Sequence, residues 1–283
     1  MEETANMSLK NKWGKLLTTV VLGLLSLCFL LPLIWMLSAA SKIEKDVWTF
    51  PIQWIPETWN FVNNFKEVWM GKVPFHMFYV NSIKIAAIAT LATLIVSSMA
   101  GYAFSKIDFK GKHLLFGLLM SFMMIPEQST LVPRYLLIKW FGLYNTHTAI
   151  VLLLMFSTYF TFLFRQYMMG IHDDMLEAAQ LDGAGYFKIY WKVMLPLCKP
   201  IIATVGIIKF IWTWNDYQTP LIFLLSKEKF PIPLGIQFFK EEFATNISVM
   251  MMASLSAIVP LIIVFLFLQK QVIEGIALGG VKG

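Results

Sequence analysis

The chain has 283 residues, 58% of them apolar and only 14% charged, with a formal net charge of +6. Ordinary soluble domains carry about 25% charged residues, and a soluble domain of this size could not cover its surface with so few. The basic excess is modest and scattered, with no phosphate-neutralising patch, which argues against a nucleic-acid partner.

A helix needs about 20 mostly apolar residues to cross a bilayer. Six segments meet that length: Leu16–Ala40, Met77–Ser105, Leu114–Tyr135, Thr146–Met168, Ile201–Leu224 and Val249–Gln269. The predicted fold is therefore all-α and polytopic. It has a short N-terminal segment over residues 1–15 and one transmembrane domain over residues 16–283. The first span has lysines before it and Ser38-Ala39-Ala40 at its end, as a secretory signal does. Its apolar core exceeds the about 7–15 residues of a signal and contains Pro32 and Trp35, so an uncleaved span is expected.

Beyond it, the connection from Ser41 to Phe75 holds Trp48, Trp54, Trp59 and Trp69, which reads as a structured loop anchored at the membrane interface. Lys84 in span 2 lies near the outer end, where its stem can snorkel. Glu127 follows Pro126 in span 3, in a helix the proline distorts, and faces either a water-filled cavity or freed backbone donors. Lysines and arginines beside the spans divide twelve to nine in favour of the side that holds both termini, placing the termini in the cytoplasm. Cys28 and Cys198 then fall on opposite sides, and no disulfide is expected.

The connection between spans 4 and 5, about residues 170–200, reads as a helix–turn–helix. Asp174 and Glu177 have the spacing of a capping box, and Gly183 and Gly185 offer positive φ to end the first helix. A second short helix covers Tyr186–Val193, with Pro196 and Pro200 to stop it. The pattern Glu177-Ala178-Ala179, three residues, Gly183, nine residues, Val193, Met194, Leu195, Pro196 resembles the signature loop of binding-protein-dependent ABC importer permeases. Valine stands at 193 where isoleucine is usual. Asn81-Ser82, Met124-Ile125-Pro126, Trp214-Asn215-Asp216-Tyr217 and the ending Gly279-Gly280-Val281-Lys282-Gly283 resemble the carbohydrate branch with the maltose-type permeases.

The resemblance implies a type I importer permease fold, with the loop on the cytoplasmic side and docked in a cleft of an ATPase subunit. Glu177, Ala178, Ala179, Asp182, Gly183, Val193, Leu195 and Pro196 are the coupling residues it points to. It also implies a second homologous permease as heterodimer partner, two ATPase subunits that bind the ATP and magnesium, and an extracellular substrate-binding protein. The outer loop from Ser226 to Ile247 would meet that protein. The substrate would be a carbohydrate, an oligosaccharide by the branch, imported across a bacterial cytoplasmic membrane. No cofactor or metal is expected on this chain.

In span 5, Lys209, Trp212, Asn215 and Asp216 recur three and four residues apart and make a polar-aromatic stripe suited to stacking on sugar faces and bonding hydroxyls. With Glu127 and Asn81 they are the substrate-path candidates. The same stripe would equally pack on a partner permease, or Lys209 would pair with Asp216. The sequence contains no GxxxxGK[ST] loop, so energy must come from another chain. Other readings are an importer for a non-sugar solute and a stand-alone secondary transporter, the latter leaving the loop unexplained. His76, His113, His147 and His172 are scattered without an HExxH pattern, which argues against an enzyme.

Overall fold

The computed structural model describes residues 2–242 and 246–280, and every regular element among them is helical. Val281 to Gly283 of the closing motif, and residues 243–245 of the outer connection, lie outside the described residues. The chain forms two compact units, Met1–Val73 with Phe239–Ser256, and Pro74–Phe238 with Ala257–Gly283.

In the first unit, α1 (Glu2–Ala40) presents its apolar stretch to its surroundings almost without burial, as a lipid-facing helix does. Its end is different. Ser38, Ala39, Ala40, Ser41 and Lys42 are buried, because the connection after them folds back. Within that connection α2 (Phe61–Met70) carries Asn64, whose amide donates to the Ala40 and Lys42 carbonyls at 2.8 Å each. The Asn60 N–H donates to Ser41 O at 2.8 Å, so the chain leaving the membrane has its free carbonyls satisfied.

The second unit is organised on α3 (Phe75–Lys106). Its inward face is made of small residues, Ala86, Ala89, Thr93, Ser97 and Gly101, at helical spacing, which lets other helices approach closely. After it come α4 (Lys112–Met124), α5 (Glu127–Trp140), α6 (His147–Met155) and α7 (Thr158–Met169), the last two packed against α3. There follow α8 (Asp174–Leu181), α9 (Tyr186–Leu197), α10 (Lys199–Trp214) and α11 (Gln218–Phe223). The chain then continues as α12 (Ile232–Glu242) and α13 (Ile247–Gly280).

Three of the six expected spans are continuous helices long and apolar enough to cross a membrane: Gly14–Ala40, Phe75–Lys106 and Ile247–Phe267. The other three candidates are bent pairs, and the count reaches the expected six when each pair is taken as one span. The arms α4 and α5 meet at 103°, α6 and α7 at 43°, and α9 and α10 at 79°. The first break has its cause in Pro126, which holds Ile125 extended (φ −84°, ψ 119°). The expected fifth span, Ile201–Leu224, is also interrupted. α10 has 16 residues, a rise of about 24 Å, short of the roughly 30 Å of hydrocarbon.

α3 and α7 approach closely at Gly101, where an added Cβ would lie 2.6 Å from Phe164 Cβ and 3.0 Å from the Arg165 backbone nitrogen. Gly101→Ala is expected to lower stability by about 1–3 kcal/mol through overpacking. Gly206→Ala, whose nearest contact would be an ordinary 3.7 Å, is expected to leave it nearly unchanged. Thermal unfolding of both variants in detergent checks this.

Candidate functional site

The loop begins where Lys106, at the end of α3, donates to the Ile171 carbonyl at 2.6 Å and pairs with the Asp173 carboxylate at 2.5 Å. Asp173 precedes α8 but makes no capping bond, and the expected box between Asp174 and Glu177 is not formed. Lys106 holds Asp173 instead. The helix start is served by Asp174 and Glu177 in the first turn, where carboxylates suit the dipole. Glu177 is exposed, and its carboxylate makes no hydrogen bond to a described residue.

α8 ends in a left-handed turn at Gly183, φ 75°. The Gly183 N–H donates to Gln180 O at 2.9 Å and the Ala184 N–H to Ala179 O at 3.0 Å, the paired bonds of a Schellman end. Gly185, in contrast, is extended (φ −72°, ψ 165°) and needs no glycine freedom. Pro196 does not stop the second helix. Residues Tyr190–Met194 open into a π-helical turn just ahead of it, and the wider turn accommodates a ring that supplies no N–H. The break falls at Cys198, and Pro200 sits in the first turn of α10, where its missing donor costs nothing.

The two faces of this loop differ. Inward, Leu176, Ile189, Tyr190, Met194 and Cys198 are buried in one cluster with Tyr102 of α3 and Phe160, Phe164 and Met168 of α7. The Tyr190 hydroxyl shares a buried 2.7 Å hydrogen bond with Ser98 of α3. Ala179, Val193 and Leu195 pack partly against the same cluster. Outward lie Glu177, Ala178, Asp182, Gly183 and Pro196, with Leu181 89% exposed.

The second feature is a cavity of about 350 Å³ in the second unit, lined by Glu127, Arg134, Ser157, Lys209, Trp212 and Asp216, with Phe156 and Phe160 among the apolar walls. Three of the backbone interruptions meet here, the bend between α9 and α10 lying apart. Glu127 follows the α4–α5 break, Phe156 and Ser157 form the α6–α7 break, and Asp216 lies between α10 and α11. Within a membrane, irregular backbone is tolerated where it lines a cavity and finds hydrogen-bond partners. Each break has one. Lys209, 6% exposed, donates to Leu154 O at 2.6 Å, capping the carbonyl end of α6. Ser157 Oγ accepts from the Phe160 N–H at 3.3 Å, and Asp216 Oδ1 from the Thr219 N–H at 3.1 Å. Arg134 pairs with Glu127 at 2.7 Å. Trp212 stands over Tyr159 and Phe160, with ring centroids 5.7 and 5.2 Å apart, forming an aromatic shelf.

Of the sequence candidates, Glu127, Lys209, Trp212 and Asp216 are brought together. Lys209 bonds a carbonyl and forms no ion pair with Asp216. Asn215 and Asn81 lie elsewhere. Asn215 donates back to Ile211 O of its own helix at 2.9 Å. Asn81 holds the connection after α11, through Glu228 O at 2.8 Å and Phe230 O at 3.1 Å. Lys84 is exposed and off the cavity. Sequence reading missed Arg134, two turns past Glu127, and Ser157, a capping residue in mid-span that marks the hidden break.

A family model described as "Binding-protein-dependent transport system inner membrane component" matches residues 93–277. The arabinooligosaccharides transport system permease protein AraQ of Bacillus subtilis (strain 168) is 33% identical over 267 residues, 94% of this chain and 95% of that protein. The melibiose/raffinose/stachyose import permease protein MelC of the same organism is 32% identical over 270 residues, 94% and 96% of the two chains. Among solved structures, a chain of a bacterial ABC transporter involved in the import of the acidic polysaccharide alginate superposes with a TM-score of 0.81 at 25% identity, covering 92% of this chain and 97% of that one.

Lys209→Met should leave the Leu154 carbonyl with only the 3.3 Å bond from Thr93 and lower thermal stability by about 1–3 kcal/mol. Trp212→Ala, at a side chain 53% exposed, should shift it by well under half of that. Unfolding followed by intrinsic fluorescence in detergent distinguishes the two.

Proposed function

We infer what this chain does from one premise: it belongs to the family of binding-protein-dependent transport system inner membrane components. It is an integral membrane permease of an ABC-type importer, and not itself an enzyme. Our proposal is that the cargo is a carbohydrate, an oligosaccharide, and that the chain converts closure of separate ATPase subunits into alternating access. The names of the relatives support the cargo, since AraQ and MelC are named for arabinooligosaccharides and for melibiose, raffinose and stachyose.

One observation carries the mechanism. Phe160 belongs both to the cluster that roots the loop and to the wall of the cavity. A push on the tip at Glu177 to Gly183 passes through Ile189, Tyr190 and Met194 into Phe160 and Phe164, and so to the cavity. α10 adds a second link, starting at Lys199 beside the loop and carrying Trp212 to the shelf. In this reading the loop and both termini are cytoplasmic, and the membrane is that of a bacterial cell. The unbonded Glu177 carboxylate meets a basic group of the ATPase, and the small Ala178 lets that surface come close. ATP and magnesium are held by the ATPase pair. A second homologous permease completes the pathway, and an extracellular binding protein delivers cargo at the outer loops, including Ser226–Ile247. In the cavity, the shelf of Trp212, Tyr159 and Phe160 stacks on sugar C–H faces while Glu127, Arg134 and Asp216 bond hydroxyls.

Purified with its co-expressed subunits, the complex should hydrolyse ATP faster with loaded binding protein. Glu177→Lys and Gly183→Pro should each reduce that stimulation about tenfold or more. Trp212→Ala should leave ATPase docking intact and raise the apparent KM for transport by about fivefold to tenfold, the loss of one stacked aromatic. Transport by this chain alone, driven by an ion gradient in vesicles, would sink the reading.

A further inference from the structure

Charge is divided unevenly between the two arms of the loop. The first arm carries Asp173, Asp174, Glu177 and Asp182 with no lysine or arginine; the second carries Lys188, Lys192 and Lys199, and no acid occurs again before Asp216. The structure gives the second arm a distinct outward face. Tyr186, Phe187 and Trp191 are 58%, 65% and 50% exposed; Lys188 and Lys192 are exposed beside them and Lys199 is exposed at the start of α10, none with an ion pair to any described residue. Phe187 and Trp191 are one turn apart, as are Lys188 and Lys192, while Ile189, Tyr190 and Met194 on the opposite face are buried. The arm also meets α10 at 79°. When α10 crosses the membrane, α9 runs nearly in its plane.

We propose that the exposed face of α9 is a binding surface for anionic phospholipid headgroups of the leaflet beside the loop, cytoplasmic in the reading above, on which this inference rests. Tyr and Trp side chains settle at the headgroup level, and the lysines lie within reach of the lipid phosphates. Charge complementarity selects this occupant. An anionic surface attracts the second arm and repels the first, so the acidic tip stays off the membrane while the basic arm lies on it. Each lysine near such a surface contributes about a fivefold preference for anionic over neutral lipid.

The test uses the full complex with Phe187→Cys in a Cys28→Ser background, labelled with bimane and reconstituted in vesicles; the remaining thiol, Cys198, is buried. Headgroup spin-labelled lipid should quench the label, and phosphatidylglycerol should quench it more strongly than phosphatidylcholine. Lys188→Gln with Lys192→Gln and Lys199→Gln should remove that preference. As an unlabelled check, the wild-type complex washed in neutral detergent should retain about tenfold or more phosphatidylglycerol than the triple variant. Equal quenching by the two lipids overturns the proposal. So does a label that lipid reaches only after the ATPase subunits are removed, which assigns the face to them. Glu177→Lys keeps the two ideas apart. Lipid preference that survives loss of ATPase association supports this proposal, and loss of both together overturns it.

Discussion

Inside a hydrocarbon layer an unpaired backbone carbonyl or N–H costs several kcal/mol, and this chain interrupts its helices at three places around one cavity. The repairs are made by side chains. Lys209 caps the end of α6, Ser157 opens α7, and Asp216 bonds the first turn of α11. All three also line the cavity. The polarity of the cavity and the integrity of the broken helices therefore rest on the same atoms. This is why ionisable groups can stand at membrane depth, where each would otherwise be a liability.

The loop depends on the same core from the other direction. Its inner face is continuous with the apolar cluster on α3 and α7, and the Ser98–Tyr190 bond fixes it at a buried point. The small-residue face of α3 brings α7 close enough at Gly101 for that cluster to be tight. A close-packed interior transmits displacement with little loss, so a tip left unbonded at Glu177 and a root without slack belong to one device. The two arms of the loop carry opposite charge at the surface.

Much of this was legible in the sequence, and the failures share a physical cause. The helix–turn–helix was readable because Gly183 and the residues around it make local bonds. The capping box was misread because Lys106, 67 residues earlier, claims the neighbouring Asp173. Periodicity found Lys209 and Trp212 because α10 is regular through Trp214. It misplaced Asn215, which lies where the helix stops, while Asn81, chosen by resemblance, bonds Glu228 and Phe230, partners distant in sequence. Pro126 announced one break. The break at Phe156-Ser157 is hidden because one Ser-Thr pair barely lowers the hydropathy of the run, and hydropathy records solvent preference, not direction. Pro196 was taken as a stop because the π turn that accommodates it leaves no compositional mark.

The interrupted spans also have a kinetic side. A continuous transmembrane helix can bend only by rupturing its own ladder of backbone bonds, which is slow and leaves those groups in lipid. Here the regular ladder is already interrupted at Ile125-Pro126, Phe156-Ser157 and Asn215-Asp216-Tyr217, and the last two joints are bridged by side chains that can rotate. The arms on either side are short stiff rods. They can swing by exchanging a few side-chain bonds at a joint, with water in the cavity as a substitute partner. For the alternating access proposed above, the breaks would serve as pre-cut hinges that lower the barrier to opening without loosening the rods themselves.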